Sequence, residues 1–244
     1  MPINARYIVI IVALLAGVFA FFVFQSNQET DTASQFDASG EASEVHSTDL
    51  ASSDLDKETA GLSALEKPNP LGEIVIGNAD APVTMVEYAS LTCGHCGAFH
   101  NQVLPILKAE YVDTGKLKIL FRPFPFDGLA TAGAMLAHCV APVQQSKFLM
   151  ILFERQSMWL ASQQPLDELL KISRQAGLSE ADFRICLKDE SILAGIRAVQ
   201  KDAHEELKVQ STPTFFINGA RLEGNQDISV FREAINAQLP AELR

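Results

Sequence analysis

The 244-residue chain is short of base. Nineteen Lys and Arg stand against 30 Asp and Glu, a net charge of −11. A nucleic-acid binder needs a basic face for the phosphates, so that class is excluded. Cysteine is scarce, with four in all. That is too few for a small disulfide-framework protein of this length, but enough for one active pair and one structural pair. No internal repeat, phosphate-binding loop or Ser-His-Asp arrangement is legible. Hydrophobic residues make up 48% and charged residues 20%, which excludes disorder throughout. The length allows one or two domains with a sizeable core.

The acidity is uneven. Between Gln25 and Pro70 there are ten acids against Lys57 and Lys67. With one aromatic residue, Phe36, that stretch cannot bury enough apolar surface to offset chain entropy. Residues 25–70 therefore read as an acidic, flexible, disordered stalk, spanning roughly 40 Å as a coil. Before it, residues 7–24 (YIVIIVALLAGVFAFFVF) form an uncharged run of 18, at the lower end of what spans a bilayer. Arg6 precedes the run and acids follow it, which places the remainder outside the cytoplasm. Residues 1–24 are expected to be a transmembrane anchor, with a cleaved signal peptide as the alternative. No small-x-small site follows Phe24. Both readings export the rest.

The exported part alternates. Strands are expected at Glu73–Ile76, Val83–Ala89 and Lys116–Arg122. A helix opens at Cys93 and continues through Leu107, with Pro105 kinking it. Leu129 to about Gln200 is helical in period, broken at Pro142, Pro165 and Gly177, with Ser179 as an N-cap. Thr214–Ile217 is a strand, Asn218-Gly219 a hairpin turn, and Arg221-Leu222 the start of the return strand. Asp227–Leu239 closes the chain as an amphipathic helix. The fold class is α/β, interrupted by an all-helical insertion: residues 71–127 and 196–244 form the α/β domain and 128–195 the insertion.

Cys93-Gly94-His95-Cys96 carries the chemistry. Cys93 sits where unpaired N–H groups and the helix dipole favour an anion, which makes it a thiolate near neutral pH. Cys96 lies one turn on and can resolve a mixed disulfide. His95 can add charge or a hydrogen bond to the Cys93 sulfur, and Gly94 leaves the approach open. The alternatives are a structural disulfide or half a zinc site, and the latter needs two more ligands. Glu87 stands between Val86 and Tyr88, six positions before Cys93. It is either an acid that exchanges a proton with Cys96 or a surface carboxylate on a strand edge. Pro213 precedes a strand and marks a tight turn, either trans or cis. A cis bond would leave the Thr212 backbone free to pair with an extended substrate.

GNADAPVTMVEYASLTCGHCGAFH, the later STPTFFINGARLEG and the helical stretch between them resemble the DsbA family of thioredoxin-fold thiol:disulfide oxidoreductases. The resemblance covers roughly residues 71–244. It implies a thioredoxin fold with a helical insertion, and Cys93 as the nucleophile with Cys96 as its partner. It also implies His95 as thiolate stabiliser, Glu87 as the buried acid and Pro213 as cis. No cofactor is implied beyond the redox-active Cys93–Cys96 disulfide. Gly94-His95 is similar to the pair in eukaryotic protein disulfide isomerases, and Thr212 before Pro213 is common in bacterial isomerases and reductases.

Cys139 and Cys186 lie in apolar helical settings. They are either two buried thiols or a structural pair, and an exported chain favours pairing. Some members of the family are similar in carrying a second pair in the insertion. His100 is either an active-helix residue or solvated, with solvated preferred. His138 and His204 show no partner pattern. Trp159, Met158 and Phe153 read as core, or else as a substrate-facing apolar patch.

The expected function is a dithiol oxidase that donates the Cys93–Cys96 disulfide to exported proteins with free or mispaired cysteines. The family implies a quinone-linked membrane oxidase as the partner that reoxidises it. The expected location is the bacterial inner membrane, single-pass, with the catalytic domain in the periplasm, or the soluble periplasm after cleavage. An isomerase or reductase kept reduced by a membrane electron donor is the alternative. A copper- or metal-handling module using Cys93, Cys96 and His95 is a third reading.

Overall fold

The computed structural model describes residues 65–244. The expected anchor (1–24) and all but the last six residues of the expected stalk (25–70) lie outside the described residues. Among the described residues, no helix is long and apolar enough to cross a membrane.

Five strands form one sheet in the order β1-β3-β2-β4-β5. They are β1 (Ile74–Ile76), β2 (Val83–Ala89), β3 (Leu117–Pro123), β4 (Thr214–Ile217) and β5 (Ala220–Glu223). β2 runs parallel to β3 from Val83↔Leu117 to Ala89↔Pro123, and β1 is antiparallel to β3. β4 is antiparallel to β2, placing Phe215 opposite Glu87. The β4–β5 hairpin turns at Asn218 and Gly219, whose φ values are 45° and 92°. Two positive φ values in succession are what a tight hairpin turn needs, and Asn-Gly supplies them without strain.

Side chains alternate across β2. Met85 packs with Phe99, Leu107, Phe215 and Phe231 on one face. Val86 and Tyr88 pack with Val199, Ala203 and Leu207 on the other. Helix α1 covers the first face. It runs through Gly94–Ala98, Phe99–Val103, Leu104–Leu107 and Lys108–Val112. Pro105 cannot donate to the Asn101 carbonyl, and the helix widens rather than breaks. Leu104 N–H bonds to Phe99 O and Asp113 N–H to Lys108 O, both five residues back.

The helical insertion comprises α2 (Gly128–Cys139), α3 (Pro142–Glu154), α4 (Gln156–Leu160), α5 (Pro165–Gln175) and α6 (Glu180–Cys186). Helix α7 (Glu190–Glu205) leads back to the sheet, and α8 (Ile228–Gln238) packs beside α1. Side-chain caps start α2, α6, α7 and α8: Asp127, Ser179, Asp189 and Asp227 each accept from an N–H of the first turn, as unpaired helix N–H groups require. The insertion packs around Leu136, Phe148, Leu152, Phe153 and Trp159, in a core it shares with Ile74, Ala89 and Phe121 of the sheet and with Cys96.

Two boundaries differ from the sequence reading. The limit at 195/196 falls inside α7, because Ile196 packs into the insertion core while Val199 and Ala203 pack on the sheet. One helix serves both. The stalk ends before residue 70. Leu65 packs against the Val86–Tyr88 face. The Arg122 guanidinium donates to the Leu65 carbonyl at 3.0 Å and to Glu73 Oε1 at 2.7 Å. Those contacts hold a segment whose composition alone reads as solvated.

Candidate active site

Cys93 is the residue just before α1, with extended dihedrals (φ −77°, ψ 121°) and no side-chain cap. The free N–H groups of the first turn are therefore left to the sulfur. Those of His95 and Cys96 are directed at it. The loop carrying Cys93 is tied down by the Thr92 hydroxyl, which donates to Asp127 Oδ2 at 2.5 Å. A Cβ on Gly94 would meet nothing within 4 Å, so the approach to Cys93 stays open.

Cys93 and Cys96 are both free thiols in the structure, Cys93 partly exposed and Cys96 buried. The Thr212–Pro213 peptide is cis, and the Cys93 thiol donates to the Thr212 carbonyl at 3.3 Å. The stretches around 93 and 212 thus meet at one sulfur. The Cys96 thiol beside Cys93 draws the Cys93 pKa down from 9.0 to about 5. Burial opposes this, and the Thr212 side chain and the N–H groups of Cys96 and His95 add to it. Cys96 goes the other way: burial first, then the neighbouring Cys93 sulfur and the Glu87 charge, push its pKa up.

His95 reaches the sulfur through its backbone N–H, and its side chain is exposed. The hydrogen bond that His95 gives the sulfur thus comes from the helix start. Glu87 is fully buried, so the alternative of a surface carboxylate is set aside. Both its oxygens lie 3.0 Å from His100 Nε2. His100 is not solvated as the sequence reading had it. It is buried and stacked on Phe153, ring centroids 3.7 Å apart and planes 15° from parallel. One turn beyond Cys96, it shares the sheet-facing side of α1 with that residue. Its partner comes from a strand, so no local pattern marks it.

Sequence reasoning also missed Gln156. Its Nε2 donates to the Leu91 and Cys93 carbonyls, both at 2.9 Å. A lone glutamine in a helical stretch carries no signal for that contact.

Cys139 and Cys186 form a disulfide joining the ends of α2 and α6, with Cα atoms 6.1 Å apart. Trp159 and Phe153 are core, but Met158 is 69% exposed, which sets aside the core alternative for it. Both ring nitrogens of His138 are buried without a partner among the described residues. His204 Nδ1 lies 3.2 Å from the Val209 carbonyl. Among the described residues, no three His, Cys, Asp or Glu side chains converge as a metal site.

A family model described as Thioredoxin matches residues 70–237. A Rickettsia typhi protein named as a protein-disulfide oxidoreductase is 30% identical over 173 residues, covering 70% of this chain and 64% of its own length. The chain thus spans just under two thirds of that relative. A Bacillus anthracis protein named as a disulfide bond formation protein D is 31% identical, covering 67% of this chain and 77% of the relative. The crystal structure of alpha-DsbA1 from Wolbachia pipientis superposes with a TM-score of 0.63 at 31% identity, covering 68% of this chain and 90% of that one. The oxidised BdbD structure from Bacillus subtilis, at 23% identity and a TM-score of 0.61, shares the fold. With the paired thiols and the helical insertion, these likenesses place the chain in the thioredoxin family, among the DsbA-type thiol:disulfide oxidoreductases.

Proposed function

We propose that the chain is a dithiol oxidase that passes the Cys93–Cys96 disulfide to exported proteins with free or mispaired cysteines. The observation that carries this reading is the opposed behaviour of the two sulfurs: Cys93 is held to about 5 and Cys96 is pushed up. At pH 7 the two units between about 5 and 7 stabilise the reduced form by about 3 kcal/mol before solvent screening of the half-exposed sulfur, and by less after it. That corresponds to at most about 60 mV towards an oxidising potential.

The steps follow from the geometry. A substrate thiolate attacks the Cys93 sulfur, the accessible one, because Cys96 is 0% exposed. The S–S bond breaks and its electron pair goes to Cys96, which is protonated. The second substrate thiolate attacks the substrate sulfur of the mixed disulfide. Cys93 leaves as the stabilised thiolate, the better leaving group of the two. The substrate is oxidised and the enzyme reduced by two electrons. Cys93 and Cys96 act as the redox pair, Glu87 as the acid at Cys96, and Thr212-Pro213 as the substrate-facing loop.

A further turnover needs an oxidant, for which a quinone-linked membrane oxidase is the proposed partner. The uncharged run at 7–24 with Arg6 before it supports a bacterial inner-membrane anchor and a periplasmic catalytic domain. Soluble periplasmic release after cleavage is the alternative location. The acidic balance gives no support to a nucleic-acid partner. Thiol trapping of Cys93 and Cys96 in intact cells tests the direction. Oxidised cysteines are expected at steady state. A reduced pair would overturn the oxidase role in favour of an isomerase or reductase.

A further inference from the structure

Expelling Cys96 from the disulfide poses a proton problem. The sulfur is fully buried, and burial, Cys93 and the Glu87 charge all disfavour its thiolate. It must be protonated as it leaves, in a place water reaches poorly. Glu87 is the acid whose charge acts on that sulfur. Yet Glu87 is itself 0% exposed. Once its proton has gone it is a buried carboxylate, which is costly unless it is hydrogen-bonded.

His100 meets that need. Its Nε2 is 3.0 Å from each carboxylate oxygen, while its Nδ1 is buried and has no partner among the described residues. A neutral ring carrying its hydrogen on Nε2 fits both facts. The N–H donates to the carboxylate, and Nδ1 is left as a bare lone pair. An imidazolium would instead bury an unpaired N–H and a second charge. The ring is fixed by the stack on Phe153 from α3 and by an edge contact with Phe99. The Glu87 charge acts on Cys96 at the start of α1, as does the neighbouring Cys93 sulfur. β3 and β4 place Phe121 and Phe215 opposite Glu87, and α3 offers Phe153, none of them charged.

We propose that His100 is a positioning residue for proton transfer at Cys96: its neutral Nε2–H holds Glu87 in place and stabilises the carboxylate left when Glu87 protonates the departing sulfur. In the reductive half, the Cys93–Cys96 bond breaks, a bond from Cys93 to the substrate sulfur forms, and the Glu87 proton goes to Cys96. In the oxidative half, an oxidant disulfide accepts the two electrons. Cys96 S–H returns its proton to Glu87 as its sulfur closes on Cys93. The inference rests on thiol exchange at Cys93–Cys96 and is independent of the direction in which cells drive it.

His100→Phe keeps an aromatic ring against Phe153 and removes the donor. His100→Gln keeps a neutral N–H donor and cannot ionise. Stopped-flow reduction by dithiothreitol and reoxidation by glutathione disulfide are followed against pH in the full chain. Losing a hydrogen bond to a charged group should slow His100→Phe roughly tenfold or more, and the acid limb of its reoxidation profile should move to higher pH. His100→Gln should stay within about threefold of wild type, since it retains the neutral donor. His100→Phe should add nothing in a Glu87→Gln background. Wild-type rates and profile for His100→Phe would overturn the proposal, as would a His100→Gln as slow as His100→Phe. Nitrogen-15 NMR of the wild-type ring gives an independent reading if a variant folds poorly. A neutral Nε2–H tautomer around neutral pH is expected, and an imidazolium would refute it. If the proposal fails while wild type still exchanges thiols, the oxidoreductase reading stands. Absence of exchange in wild type would remove both.

Discussion

The side-chain amide of Gln156 lies 2.9 Å from the Cys93 carbonyl and 2.9 Å from that of Leu91, so the helical insertion holds the start of the active-site helix by one residue. A Cβ added at Gly97 would run into the same amide. The insertion therefore sets the position of the Cys93 backbone as well as covering the site.

Gln156→Ala should lower stability by about 1–3 kcal/mol, because two buried carbonyls lose their donor. It should also slow thiol exchange several-fold. Gly97→Ala should do much the same by displacing the amide. The double variant should then cost less than the sum of the two, as expected for residues sharing one contact. Thermal melts and exchange rates of the three variants check this. Wild-type behaviour of Gln156→Ala would remove the clamp.

Cys93 should titrate near 5, well below its ordinary 9.0. Its folded value is depressed, so the stabilisation of the reduced form is full above about 9. It is lost as pH falls through about 5. Ultraviolet thiolate absorbance gives the midpoint, and the equilibrium with glutathione should become more oxidising, relative to an unperturbed dithiol, from pH 5 towards 9. Because His95 acts through its backbone N–H, His95→Ala should move the midpoint by less than about one unit, under 1.4 kcal/mol of differential interaction. A midpoint near 9 in wild type, or a shift of two units or more in His95→Ala, would contradict this arrangement.

The strands, the helix starts and the Cys93–Cys96 motif were legible because each is written in adjacent residues. Val83–Ala89 and Thr214–Ile217 match the observed strands residue for residue. Ser179 caps α6 as expected. What escaped depends on residues far apart in the chain. His100 has no local partner, and only the packing of α1 on β2 brings it to Glu87. Gln156 reaches Cys93 across 63 positions. Leu65 and Lys67 look like stalk until the Arg122 guanidinium donates to their carbonyls. Pro105 signalled a disturbed helix, and the helix widens on either side of it, with bonds five residues back at Leu104 and Asp113.

The Cys139–Cys186 bridge spans a sequence separation of 47, and both residues pack against the insertion core. In the chain-entropy model a loop of that size contributes about 4 kcal/mol. Cys139→Ser with Cys186→Ser should lower the melting temperature clearly while leaving the Cys93 midpoint and exchange rate close to wild type. Mild reduction that opens Cys93–Cys96 should leave this pair closed, as peptide mapping after alkylation would show. Unchanged melting of the double variant would exclude a stabilising role.

His138 should govern part of the acid sensitivity. It precedes Cys139 at the end of α2, and neither ring nitrogen has a partner among the described residues. Burial pushes its pKa down from 6.5 to about 4. The unfolded chain therefore binds a proton that the folded chain refuses, and stability falls as pH drops below 6.5. The loss is complete near pH 4 and amounts to about 3 kcal/mol at most. Above 6.5 the group is neutral in both states and contributes no slope. His138→Gln cannot charge, so its melting temperature should fall less between pH 6.5 and 4 than that of wild type, even if packing makes it less stable at pH 8. Parallel acid slopes for the two proteins would show that carboxylates, not His138, set the acid limit.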